Sequence, residues 1–438
     1  MSEEKNYDVA IIGAGVLGAS LAYLLSISTD SKVILLEREM SAGEHTSSRN
    51  TGVIHRPFYL NPENKAIFAW AAQKSFSMWE RLARENNLPW NPVGTLEVAT
   101  TEEDTATIDQ YQKWAFQNGM EEDEIAVFNG RDLKNYERNV RGYGAILSRT
   151  DISVDFGVFT RKLVELAQRN RMDFMKNFNV TSMDDTGNGV GISGTVNGKT
   201  TVVRSNFAIN AAGGDSLKLA HGMGLAKKYA VLHFRGDYWV VNDTYRTGIK
   251  HNIYTVPRHK KFPFLDPHFV IRHDGRKEVG PTATLVGSPY DYTDTPDQKS
   301  LALKILERPS LPKMKLVANP EFISLVRTEW KSSRSRSAMS KRVRRFLPSL
   351  DDSFLGDHGL SGVRNSLIDR NGFVPEAVIE RGQNSYHVLN YNSPGATGAP
   401  AYSMHLLELA NRDGFISLNS GGKNNGLWSN IIDSRFHQ

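Results

Sequence analysis

Gly13, Gly15 and Gly18 sit in the run "VAIIGAGVLGAS", at the spacing that lets a peptide backbone approach a pyrophosphate. Gly13 permits a tight turn, Gly15 a close approach of the phosphates, and Gly18 close packing of the following helix on the preceding strand. The first amides of that helix have no intrahelical partners and favour negative charge. Glu37 stands roughly 20 residues on, where a carboxylate can accept hydrogen bonds from a ribose hydroxyl. Soon after it comes "HTSSRNTGVIH", His45 to His55, with two histidines, small hydroxyl residues and one arginine, and with no helix or strand period. Ser47, Ser48 and Asn50 can donate to phosphates, Thr51 and Gly52 allow close passage, and Val53 can line a ring face. His55 ends the stretch.

These residues need a scaffold, and the sequence supplies one. Val9 to Ile12 reads as a short buried strand. Leu17, Leu21, Leu24 and Leu25 then recur at helical spacing, and "KVILLE" is a second strand ending at Glu37. The unit is strand, turn, helix, strand, and it predicts a dinucleotide site. Far along the chain, "NFAINAAGGDSLKLA" (206–220) repeats the logic of an apolar strand running through small residues into a helix. Ala212 and Gly213 there would let another part of a long cofactor pass close to the backbone. Two such crossings suit an extended FAD better than a nicotinamide dinucleotide held in one contiguous domain. Arg38, His45 and Val180 complete the expected cofactor contacts.

Elsewhere, 63–86 and 103–119 read as amphipathic helices, "VGTLEVAT" as a strand, and 154–170 as a helix capped by Asp155. From 230 the period shortens to aromatic and branched alternation, with "HDGR" as a tight turn, which predicts an antiparallel sheet. Residues 295–346 return to helical spacing. The expected architecture is α/β, a Rossmann-type FAD-binding domain (1–88, 145–228, 347–438) interleaved with an antiparallel-sheet substrate domain (89–144, 229–346).

The 438 residues contain no cysteine, which excludes disulfides, thiolate metal sites, iron–sulfur clusters and a cysteine nucleophile. No metal is expected, and redox chemistry needs a bound cofactor. No apolar run approaches the roughly 18 to 20 residues that cross a bilayer. The start, "MSEEKNYDVAII", lacks the basic end and long apolar core of a secretory signal, so a cytoplasmic location is expected. Much of the net charge of +5 falls in "KSSRSRSAMSKRVRRF" (331–346). No aromatic residues interleave there for base stacking, so nucleic acid is not expected; the first reading is a solvated basic helix face, and contact with an anionic membrane surface is the alternative.

The chain resembles the FAD-dependent amine and 2-hydroxy-acid oxidoreductases of D-amino-acid-oxidase type, and within them the branch acting on L-2-hydroxyglutarate. The family stretch H-Q-T-G-H-N-S-G-V-I-H is similar to His45–His55 without gaps, although Ser48 and Arg49 stand where the family often has glycine and histidine. "FRGDY", "NIYTVP", "FPFL" with "HF", "RHDG" with "GP", "GVR" and "SPGAT" follow in family order. The resemblance implies oxidation of an L-2-hydroxy acid to a 2-oxo acid, with hydride passing to FAD and a base taking the hydroxyl proton; a quinone is the natural electron acceptor if 331–346 lies on a membrane, and oxygen or a soluble carrier if it does not. His268 and His55 are the candidate bases. Arg272, Tyr254, Arg235 and Arg364 are the candidate clamp for a dicarboxylate, because a guanidinium binds carboxylate through two hydrogen bonds. Arg364 would also lie beside the flavin ring, and Gly395, Ala396 and Thr397 would offer helix N-terminal amides to it. "SPGAT" is also close to a turn of malate:quinone oxidoreductases, so a shorter hydroxydicarboxylate, or an amino acid or glycine as in oxidases of the same fold, is the alternative substrate.

Overall fold

A computed structural model describes residues 6–245, 248–259, 262, 266–292, 297–419 and 427–428. The apolar run at the start forms the strand Asn6–Ile12, which pairs in parallel with Val33–Leu36 on one side and Lys199–Asn210 on the other. From Val9 to Ile12 its side chains are buried on both faces, as a central parallel strand requires. Val9 and Ile11 pack with the helices Val16–Ser28, Phe156–Arg169 and Gly395–Arg412. Ala10 and Ile12 face Phe178 and, from the antiparallel strands that cover the other side, Met183, Val190 and Ile192. The parallel order is completed by Asp173–Met175 at one edge and Ser385–Asn390 at the other. Asp155 caps its helix as expected, accepting from the amides of Gly157 and Val158.

A second eight-stranded sheet runs from Leu355–His358 to Ile125–Asn129, and its "HDGR" turn joins His268–Ile271 to Lys277–Gly280. All its pairs are antiparallel except Asn252–Thr255 with Thr95–Ala99. This sheet corrects the expected domain limits. Gly144–Ser148 pairs with both Thr95–Ala99 and Ile125–Asn129, and Leu355–His358 pairs with Trp239–Val241, so two strands assigned to the cofactor domain belong here. Alternation alone cannot say which sheet a short strand joins. A four-stranded antiparallel sheet, centred on Ala230–Gly236 and Gly362–Asp369, links the two bodies.

Helices fill 298–343 as the spacing predicts. In the basic segment Lys331, Arg334, Arg336, Lys341 and Arg344 are exposed, whereas Met339 and Val343 are buried and Arg342 pairs with Glu329 at 2.7 Å. No described helix is long and apolar enough to cross a membrane. The "FPFL" resemblance falls partly on Pro263–Leu265, outside the described residues.

Candidate active site and cofactor groove

Two cavities lie end to end along the carboxyl ends of the parallel strands and share Gly15, Thr46, Ser47, Ala211, Gly213 and Asn365 as lining. The first, about 120 Å³, is walled by Gly13, Glu37, Arg38, His45, Val180 and Ala212 among others. Gly13 has φ +97°, and a Cβ there would meet Ala211 O at 2.7 Å. A Cβ on Gly18 would lie 1.9 Å from Gly13 O, so the turn and the helix can close on one another only with glycine at both places. Glu37 Oε2 accepts from the amide of Ala14 at 2.7 Å, and Oε1 from that of Glu39 at 3.0 Å. Arg38 pairs with Asp215 at 2.6 Å and lies over the Tyr290 ring. His45 reaches Glu39 and Tyr292 through its two ring nitrogens.

The loop at 45–49 is one helical turn, with the amides of Ser48 and Arg49 both donating to His45 O. Successive residues therefore point in different directions. Ser47 faces the groove and accepts from the amide of Val16 at the helix start, 2.9 Å away. Ser48 does not line either cavity, contrary to its expected phosphate contact: its hydroxyl donates to His45 O, and its Cβ sits against Gly157.

The second cavity, about 330 Å³, holds Asn50, Thr51, Gly52, Val53 and His55 on one wall and Gly395, Ala396 and Thr397 on another. His55 and a residue unmarked in the sequence, Asp151, meet there through strand register. Val53–Ile54 pairs antiparallel with Ile152–Ser153, Ile54 opposite Ile152, so the next position outward on each strand sets His55 against Asp151. His55 Nδ1 lies 2.9 Å from Asp151 Oδ2. The fully buried carboxylate is fixed by Arg56 N at 2.9 Å and Ser148 Oγ at 2.6 Å, both donating to Oδ1. With Nδ1 engaged, Nε2 is the nitrogen that remains to take a proton. Thr397 Oγ1 accepts from the His55 amide and donates to Val53 O, which ties the start of the helix Gly395–Arg412 to the histidine.

The other expected catalytic residues divide sharply. Tyr254 lines the cavity, and its buried hydroxyl meets no hydrogen-bond partner among the described residues. Burial raises its pKa well above the usual phenol value. Arg364 also lines the cavity, where burial lowers its pKa while Tyr238 and Tyr59 oppose the shift. Arg272 does not reach the cavity lining. Its Nε and Nη2 donate to Glu278, and Nη1 donates to the carbonyls of Asn50 (2.8 Å) and Thr51 (2.6 Å), so it anchors the loop instead of clamping a substrate. Arg235, 1% exposed, is likewise withdrawn, donating to Asp237 at 2.8 Å. Asp237 also accepts from Ser333, Ser361 and Thr282. His268 is fully buried behind the cavity wall, stacked on Tyr254 at 4.0 Å. Burial, then neighbouring His55, push its pKa down to about 3, so it is neutral and screened from the cavity.

Do these residues fit FAD? The two adjoining cavities pass glycines at two crossings, Gly13 and Gly15 at one and Gly213 at the other, and nothing lies within 4 Å of where a Cβ on Gly213 would stand. The second cavity is lined by Tyr254, whose hydroxyl has no partner among the described residues, by Arg364 and by the N-terminal residues of a helix, groups suited to an anion and to negative charge on a ring. The fit is good in both cavities. Proteins named L-2-hydroxyglutarate dehydrogenase resemble this chain throughout. That of Indibacter alkaliphilus is 28% identical over 398 residues (90% of this chain, 96% of that one), and that of Escherichia coli K12 is 26% identical over 404 (92% of each). The L-alpha-glycerophosphate oxidase of Mycoplasma pneumoniae, solved with FAD bound, shares the fold at a TM-score of 0.71 and 21% identity, over 96% of this chain and 97% of that one. The family model described as FAD dependent oxidoreductase matches residues 8–409, and the chain therefore belongs to that family.

Proposed function

We propose that this enzyme oxidises L-2-hydroxyglutarate to 2-oxoglutarate, with His55 as the base. The observation that carries this reading is the His55–Asp151 pair opening onto a cavity that also holds Arg364 and Tyr254. Bound FAD, held by the glycine turn, Glu37, Ser47 and Gly213, would supply the acceptor for the hydride from substrate C2. His55 Nε2 takes the hydroxyl proton, and Asp151 stabilises the resulting imidazolium and keeps the ring in one tautomer. Arg364 and the Tyr254 hydroxyl hold the carboxylates of the dianion. Tyr238 is buried and Tyr59 and Tyr254 half-buried around them, which lowers the local dielectric and strengthens each of these contacts.

The name shared by relatives that match over nine-tenths of the chain supports the five-carbon substrate over malate or an amino acid. The test is anaerobic bleaching of the yellow holoenzyme by L-2-hydroxyglutarate, L-malate and a set of amino acids. L-2-Hydroxyglutarate should reduce the flavin fastest. Faster reduction by another substrate, or none by any, would overturn the reading. In the same proposal the enzyme works at the cytoplasmic face of an anionic membrane, with a quinone as acceptor. The exposed cations of 331–346 support that contact, and because the stretch exposes no large apolar side chain the attraction is electrostatic. Binding to anionic vesicles should then be lost as salt is raised.

A further inference from the structure

A second carboxyl group lies behind the proposed base. Glu97 is in the strand Thr95–Ala99, paired in parallel with Tyr254 on one side and antiparallel with Ile146 on the other. Leu96 and Val98 point into the core beneath the large sheet. Glu97 therefore projects from the opposite face, the one on which Tyr254 meets His55 at a ring separation of 5.6 Å. It is 6% exposed, and among the described residues nothing donates a hydrogen bond to it and no cation pairs with it. The groups that face it are Asp151, beyond the end of the neighbouring strand, Tyr254 on the other neighbour, Tyr59 from the turn after His55, and Tyr111 from the helix Thr105–Gln117. The nearby Arg56 side chain is committed to Glu124 at 2.8 Å. Among the described residues, Asp151 has three donors and Glu97 has none.

We propose that Glu97 is a positioning residue for the reaction: Glu97 and Asp151 form a coupled pair behind His55 that holds one negative charge, with Glu97 as the protonated member. The inference rests on the reading of His55 as base. Two neighbouring buried carboxyls do not both ionise near neutral pH, and the one without donors keeps its proton. A single charge is what the site needs. When the substrate's hydroxyl proton moves to His55 Nε2, the imidazolium gains one positive charge, and Asp151 balances it. A second charge would also oppose entry of a dianionic substrate. Burial, with Asp151 as the lesser cause, pushes the Glu97 pKa up to about 8, so the pair reaches its doubly charged state only as the pH rises through that value.

Infrared spectra of the holoenzyme should show a protonated carboxyl C=O stretch near neutral pH that fades through about pH 8 and is absent from Glu97→Gln. In Asp151→Asn, which removes the neighbouring charge, the fading should move to lower pH. In steady state, the KM of the wild type should rise about three- to tenfold from about pH 7 to about pH 9, as a second buried negative charge faces the anion, while Glu97→Gln stays level. No such band at neutral pH, a band unchanged in Glu97→Gln, a titration unmoved in Asp151→Asn, or equal KM profiles would each overturn the proposal. The Asp151→Asn spectrum still decides if Glu97→Gln fails to bind FAD. Should His55→Gln reduce flavin normally, the base assignment fails on its own, and the infrared titration still reports on the pair.

Discussion

The groove around Gly13 and the cavity around His55 adjoin, yet they are built on different terms. The groove is a backbone object: amides, carbonyls and missing side chains shape it, and Glu37 is held by main-chain donors. The cavity is a side-chain object, assembled from a ribbon, two sheets and a helix end that are remote in the chain. A backbone site is specified locally and fails as a unit. A side-chain site is specified by pairing, and its members can be removed one at a time.

The largest effect should come from Gly18→Ala, because its Cβ would lie 1.9 Å from Gly13 O: the purified protein should be colourless, with FAD affinity lost. A yellow Gly18→Ala protein of normal affinity would erase the contrast. Next, His55→Gln should keep FAD but slow flavin reduction by at least about 100-fold in stopped flow, whereas His268→Gln, one layer behind, should cost less than about tenfold. Comparable losses in both would return His268 to the reaction. Among the arginines, Arg364→Met should raise KM by about 10- to 100-fold through loss of a charge-assisted contact. Arg272→Met should instead lower the melting temperature and FAD affinity, because it leaves buried Glu278 unpaired and frees the loop at 50–51. The smallest effect is on stability against pH. His268 (about 3), His233 (about 4) and His387 (about 4) are all depressed chiefly by burial, so the unfolded chain binds more protons than the folded one below about 6.5. Thermal melts should fall as pH is lowered from about 6.5 toward 4. His387→Asn should flatten that slope without touching the cavity, which His387 does not line.

The same contrast explains what could be read from the sequence. Gly13, Gly15, Gly18 and Glu37 were legible because local spacing determines what they do, and the strand–helix–strand unit around them forms as expected. The long apolar and helical periods likewise placed the main layers. Which arginine reaches the cavity was not legible, because direction on a strand depends on where an acid waits. Arg272 is captured by Glu278 across its own hairpin, and Arg235 by Asp237 two residues on. Asp151 carried no mark among the chain's other acids. Only the register Ile54 opposite Ile152 distinguishes it, and register is a property of two segments at once. Ser48 was lost to a single helical turn, which rotates neighbours to opposite sides of the backbone.

Thr397 sets a limit on how this site can change. Its one hydroxyl is bonded both to the His55 amide and to Val53 O, so the helix start and the histidine move as one body. Redesign of the ring-facing end of that helix would displace the histidine as well, so variation for new substrates has to fall on lining residues that do not touch the histidine.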